Sequence, residues 1–186
     1  MSRSQSASSL SSCAKACPAA TNDEVAGAGR GYVDKFSLNG DFIARVASTG
    51  TLDAPWGLAI APSSFGSMAG DLLVGNFGDG RINIYDSNNN FAPLGQVLGA
   101  NNQALAIDGL WALSPGNDGS AGSSHLLYFT AGPNAETHGL FGVLAPVPEP
   151  STYAMMLVGI GILGLVIRRR TLRPEPARSW NNTYPV

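Results

Sequence analysis

From Val25 to Leu144, short runs of β-branched and aromatic residues alternate with Gly, Asn, Asp and Pro, which leaves room for strands and none for a convincing helix. The expected strands are Tyr32–Phe36, Phe42–Val46, Trp56–Ile60, Asp71–Asn76, Arg81–Asp86, Leu94–Leu98, Ile107–Leu113, His125–Thr130 and Leu140–Leu144. Between the first two, Leu38-Asn39-Gly40-Asp41 carries the Asn-Gly pair, because a tight hairpin turn needs residues that tolerate positive φ. Charged residues are only 13% of the chain and Gly numbers 23, as suits a turn-rich β protein.

The strands repeat. Pro55-Trp56-Gly57-Leu58-Ala59 returns as Gly109-Leu110-Trp111-Ala112-Leu113, with the tryptophans 55 positions apart. Gly29-Arg30-Gly31-Tyr32 recurs 49 positions on as Gly78-Asp79-Gly80-Arg81. A period near fifty with four strands per unit is the signature of a β-propeller blade. The expected fold is all-β: a partial β-propeller of about two to two and a half four-stranded blades over residues 23–144, followed by one C-terminal transmembrane helix. Propellers close with about four to eight blades, so an isolated pair leaves large apolar faces wet.

Residues 1–22 are rich in Ser and Ala, hold no aromatic residue and lack the apolar core of a secretory signal peptide, so this segment is expected to be disordered. An exported chain without such a peptide reads as a truncated gene product. Cys13 and Cys17 are the only cysteines, and their spacing matches neither redox nor zinc motifs. Between Thr21 and Val147 eleven acids face four bases (Arg30, Lys35, Arg45, Arg81), a balance of −7 that argues against nucleic-acid binding.

The runs Val25–Asp34, Ala54–Ala59, Gly70–Gly80, Ile107–Trp111 and Tyr128–Pro133 resemble the C-terminal part of an uncharacterised bacterial family of NHL-like six-bladed propellers. The resemblance implies a fold and an extracytoplasmic setting, but no reaction.

Val147-Pro148-Glu149-Pro150 precedes the stretch Ser151–Ile167, 17 residues without a charge, closed by Arg168-Arg169-Arg170. As a helix that stretch is about 25 Å long at roughly 1.5 Å per residue, the short limit for a hydrocarbon core of about 30 Å. A helix satisfies its own backbone groups, the condition for sitting in lipid. The arginines would hold their end in the cytoplasm and leave the body outside, as a single-pass membrane protein. Pro148 and Pro150 keep Glu149 in an extended segment. This order of elements in 145–170 resembles the PEP-CTERM sorting signal. The resemblance implies recognition of Pro148, Glu149 and Pro150 by an exosortase, a membrane cysteine protease, with Arg168, Arg169 and Arg170 as the basic stop. It also implies a host that makes exopolysaccharide and biofilm, and release to the surface or outside after processing. Residues 171–186 continue past the basic cluster, where the signal usually ends, and are expected to be a disordered tail.

No catalytic motif of an established type occurs, and the two histidines, His125 and His138, have only Glu136 as a near acidic neighbour. Asn76 and Asp79 are the weak candidates for a Ca²⁺ site at a blade mouth. The first reading is therefore a non-enzymatic exported module that binds a matrix component such as polysaccharide and needs no cofactor. The second is a fragment of a propeller hydrolase or lactonase with bound Ca²⁺.

Overall fold

The computed structural model describes residues 8–13, 25–146, 155–163 and 167. The chain divides into two units, 1–146 and 147–186. The first holds ten strands among the described residues: β1 Ser8–Cys13, β2 Tyr32–Ser37, β3 Phe42–Ser48, β4 Pro55–Ile60, β5 Leu72–Asn76, β6 Ile82–Asp86, β7 Ala92–Gln96, β8 Leu110–Pro115, β9 Leu127–Ala131 and β10 Leu140–Leu144. They form three antiparallel sheets in chain order, β1–β2–β3, β4–β5–β6–β7 and β8–β9–β10, and none closes into a barrel. The opening strand of each sheet neighbours the next, with β4 lying against β1 on one side and β8 on the other.

All nine expected strands of the body are present, Leu140–Leu144 with the expected bounds and the other eight with one or both ends shifted. The Asp86–Phe91 turn, with Asn90 and Phe91 at φ 49° and 55°, delivers the chain straight into β7, so that strand starts at Ala92 instead of Leu94. Gly109 at φ 63° breaks the expected run from Ile107, and β8 begins after it. The expected disorder of 1–22 is corrected for β1. Residues 8–13 pair in unbroken register with β2, from Ser8 opposite Ser37 to Cys13 opposite Tyr32. The sheets hold three, four and three strands, where units of four were expected, and β1 supplies the first sheet's opening strand. Leu10 adds a half-buried side chain, but what holds this serine-rich strand is the backbone ladder.

The middle sheet explains the sequence of its strands. Leu73, Ile82 and Ile84 pack with Leu110, Leu113 and Leu127 of the third sheet. Leu72, Val74 and Tyr85 point the other way, into a cluster with Val33 and Leu52. A sheet covered on both faces cannot alternate apolar with polar, hence the run Leu72-Leu73-Val74 with every β5 residue buried. The third sheet comes so close that a Cβ on Gly75 would stand 2.7 Å from Leu110 Cδ2. The outer faces of the flanking sheets stay open. Phe42 is 59% exposed against the edge of Phe36, and Phe141 is 69% exposed with its ring stacked on Tyr128 at 5.8 Å.

Gly80 fastens the β5–β6 turn to the chain entering the third sheet. Its carbonyl accepts the Ile107 N–H at 2.9 Å, its φ is 69°, and a Cβ there would run into the Ile107 carbonyl. Gly80→Ala is expected to lower stability by about 2 kcal/mol, because the obstacle is backbone that cannot rotate away. Urea unfolding of the full chain measures it; a loss under about 0.5 kcal/mol, the ordinary range of surface substitutions, would show that this contact does not form.

In the second unit, residues 155–163 and 167 are helical and exposed. Among the described residues no helix is long and apolar enough to cross a membrane. The remainder of the expected 151–167 helix, together with Pro148, Glu149, Pro150, Arg168–Arg170 and the 171–186 tail, lies outside the described residues.

Candidate functional site

The Asn76–Asp79 pair sits in a buried polar chain at one end of the middle sheet. Asn76 and Asn83 are 0% and 1% exposed, so every polar atom they bring inside needs a partner. Asn76 Nδ2 donates to the Thr51 carbonyl and to Asp79 Oδ1, both at 2.9 Å. Asn83 Nδ2 reaches Asn76 Oδ1 at 3.3 Å, and Gln96 Nε2 donates to Asn83 Oδ1 at 3.1 Å. Asp79 Oδ1 also accepts the Arg81 N–H at 3.0 Å. The chain of amides ties β5, β6 and β7 to the Thr51 loop. For a cation between them, Asn76 would need its oxygen where its nitrogen now stands. Above this chain, burial raises the Tyr85 phenol from its ordinary value, partly offset by a hydrogen bond with Thr51.

The histidines are separated from any such cluster. His125 is exposed just ahead of β9, and its carbonyl accepts the Ser64 hydroxyl at 2.5 Å. His138 is exposed with Nδ1 3.0 Å from the Thr137 hydroxyl. Glu136 instead takes the Trp111 indole N–H at 2.9 Å, which gives one of the repeated tryptophans a polar anchor. Among the described residues no three His, Cys, Asp or Glu side chains converge in a way that could hold a metal. Asp118 closes its own loop. The hydroxyl and N–H of Ser124 both donate to it, and they hold its carboxyl below the usual range.

Two cavities are lined by described residues of the body. One, about 420 Å³, lies on the third sheet's outer face beside Tyr128, Phe141 and Ser114. The other, about 350 Å³, lies where β2 begins and β3 ends, between Arg30, Tyr32, Arg45, Ser48 and Thr49. There Arg45 is clamped to Asp34 through Nε at 2.6 Å and Nη2 at 3.1 Å, with its guanidinium 4.1 Å from the Tyr32 ring centre. The sequence reading missed this cavity. Its one visible trace is Gly29-Arg30-Gly31, one copy of the Gly-x-Gly that marks the blade repeat.

The linear signal at the C-terminus is what comparison with known proteins decides. Residues 146–170 match the PEP-CTERM protein-sorting motif. This sorting motif implies export, anchoring at the C-terminus and processing by an exosortase, itself a membrane protein. An uncharacterised protein of Acanthamoeba polyphaga mimivirus is 43% identical over 117 residues, 62% of this chain and 29% of that protein. A second uncharacterised protein of the same virus is 38% identical over 118 residues, 63% of this chain and 28% of its own length. A third from that virus is 44% identical over 63 residues, or 34% of this chain. The chain thus spans less than a third of the length of these curated relatives. No solved structure matches it.

Proposed function

We propose that this chain is an exported surface protein whose C-terminal segment first holds it in the membrane and then presents it to an exosortase-type protease. The observation that carries the reading is the match of 146–170 to the sorting motif. The uncharged stretch 151–167 is the temporary anchor, with Arg168, Arg169 and Arg170 on the cytoplasmic side. Pro148 and Pro150 are poor helix residues on either side of Glu149, which suits access by a membrane enzyme. The body is a partial, NHL-like propeller that binds a matrix component and performs no catalysis. Its support is the run of three consecutive antiparallel sheets with neighbouring opening strands, the order in which successive blades follow one another.

Appending residues 145–170 to an exported reporter in a host with exosortase tests this directly. The reporter is expected to fractionate with membranes and to be shortened, and Glu149→Ala in the appended segment is expected to leave it full length. A reporter found soluble in the periplasm with no membrane association at any time would end the proposal.

A further inference from the structure

We infer that the cavity at the start of β2 binds the carboxylate of an acidic sugar. This deepens the matrix-binding reading, and it uses no residue of the sorting segment. Between Thr21 and Val147 four cationic side chains stand against eleven acids, and two of the four, Arg30 and Arg45, line this one cavity. The excess of acids over this stretch repels an anionic polymer, so the cavity lined by Arg30 is where attraction can be placed.

The two arginines differ in what they do. Arg45 is fixed by its two bonds to Asp34, which neutralise its charge, and by the Tyr32 ring beneath it, and serves as a rigid wall. Arg30 is exposed, and no ion pair holds it among the described residues. Its planar fork of N–H groups is the partner a carboxylate takes through two parallel hydrogen bonds. Flanking glycines at φ 79° and 105°, Gly29 and Gly31, bend the chain around Arg30 with no Cβ to fill the space. Thr49, a β-branched residue held at φ 61°, completes the rim, and its hydroxyl donates to the Ser48 carbonyl at 2.6 Å. That leaves the hydroxyl oxygen as an acceptor for a sugar O–H. At about 350 Å³ the cavity is in the range of small-molecule sites and far larger than a bare phosphate needs.

Calorimetric titration of the full chain in detergent micelles with trigalacturonate, maltotriose and inorganic phosphate decides the matter. Trigalacturonate is expected to bind, more weakly as salt rises, and maltotriose and phosphate to bind at least about tenfold less well. Arg30→Gln is expected to weaken trigalacturonate about tenfold or more with an unchanged circular dichroism spectrum, and Arg30→Lys to fall between, since it keeps the charge and loses the fork. The inference is overturned if the folded chain ignores trigalacturonate, if maltotriose or phosphate binds as tightly, or if Arg30→Gln changes nothing. Correct sorting of the reporter alongside any of these results would localise the failure to the cavity.

Discussion

Leu73→Ala is expected to lower the stability of the body by about 3–4 kcal/mol, among the largest effects any single side-chain truncation can have here. Leu73 is 0% exposed and packs on the face of the middle sheet that meets Leu110, Leu113 and Leu127. Cutting it back loses the transfer energy of the buried carbons and leaves a void that β-sheets on both sides cannot collapse into. A domain typically has about 5–15 kcal/mol in all, and one with open outer faces sits toward the bottom of that range, so the midpoint of urea unfolding should fall steeply. Leu72→Ala, on the opposite face toward Val33 and Leu52, should cost a similar amount. Leu94→Ala, at a side chain 55% exposed, should cost under about 0.5 kcal/mol. The comparison separates the interfaces: a neutral Leu73→Ala beside a costly Leu72→Ala would mean that the third sheet is not docked on the second.

The second large effect concerns the anchor. Gly159 stands at the centre of the 17-residue uncharged stretch 151–167. An arginine at the middle of a span costs about 2.5–3.5 kcal/mol on insertion scales, roughly a hundredfold in partition. A stretch of about 25 Å against a core of about 30 Å has no spare length with which to slide the charge out to the interface. Under the proposed reading, Gly159→Arg should move the protein from the pellet to the supernatant in alkaline carbonate extraction, and Gly159→Leu should leave it in the pellet. If wild type and Gly159→Arg are extracted alike, the stretch is not a membrane span.

How much of this was legible beforehand differs by element. The Asn39-Gly40 hairpin formed as its residues dictate, with Gly40 at φ 92° and the Ser37 N–H donating to the Asp41 carbonyl at 2.8 Å. The Gly-x-Gly recurrence was visible too, although its purpose was not. Gly80 is small because the Ile107 backbone passes over it, a partner 27 positions away that no local pattern announces. Asn76 and Asp79 were singled out as oxygens for a cation, whereas the fold turns the Asn76 amide nitrogen toward the carboxylate.

The sequence by itself determined the strand positions of the body and the sorting segment, and the physical reason is locality. Turn residues act on their own backbone, and an uncharged stretch closed by arginines can satisfy its hydrogen bonds within a single helix. Only the tertiary structure decided that the serine-rich segment Ser8–Cys13 is a strand, since it has little apolar surface and forms through the ladder that β2 offers. Likewise only the hairpin of β2 on β3 brings Arg30 and Arg45, 15 positions apart, to one cavity. Pairing and convergence are properties of contacts between distant residues, and those exist only once the chain has folded.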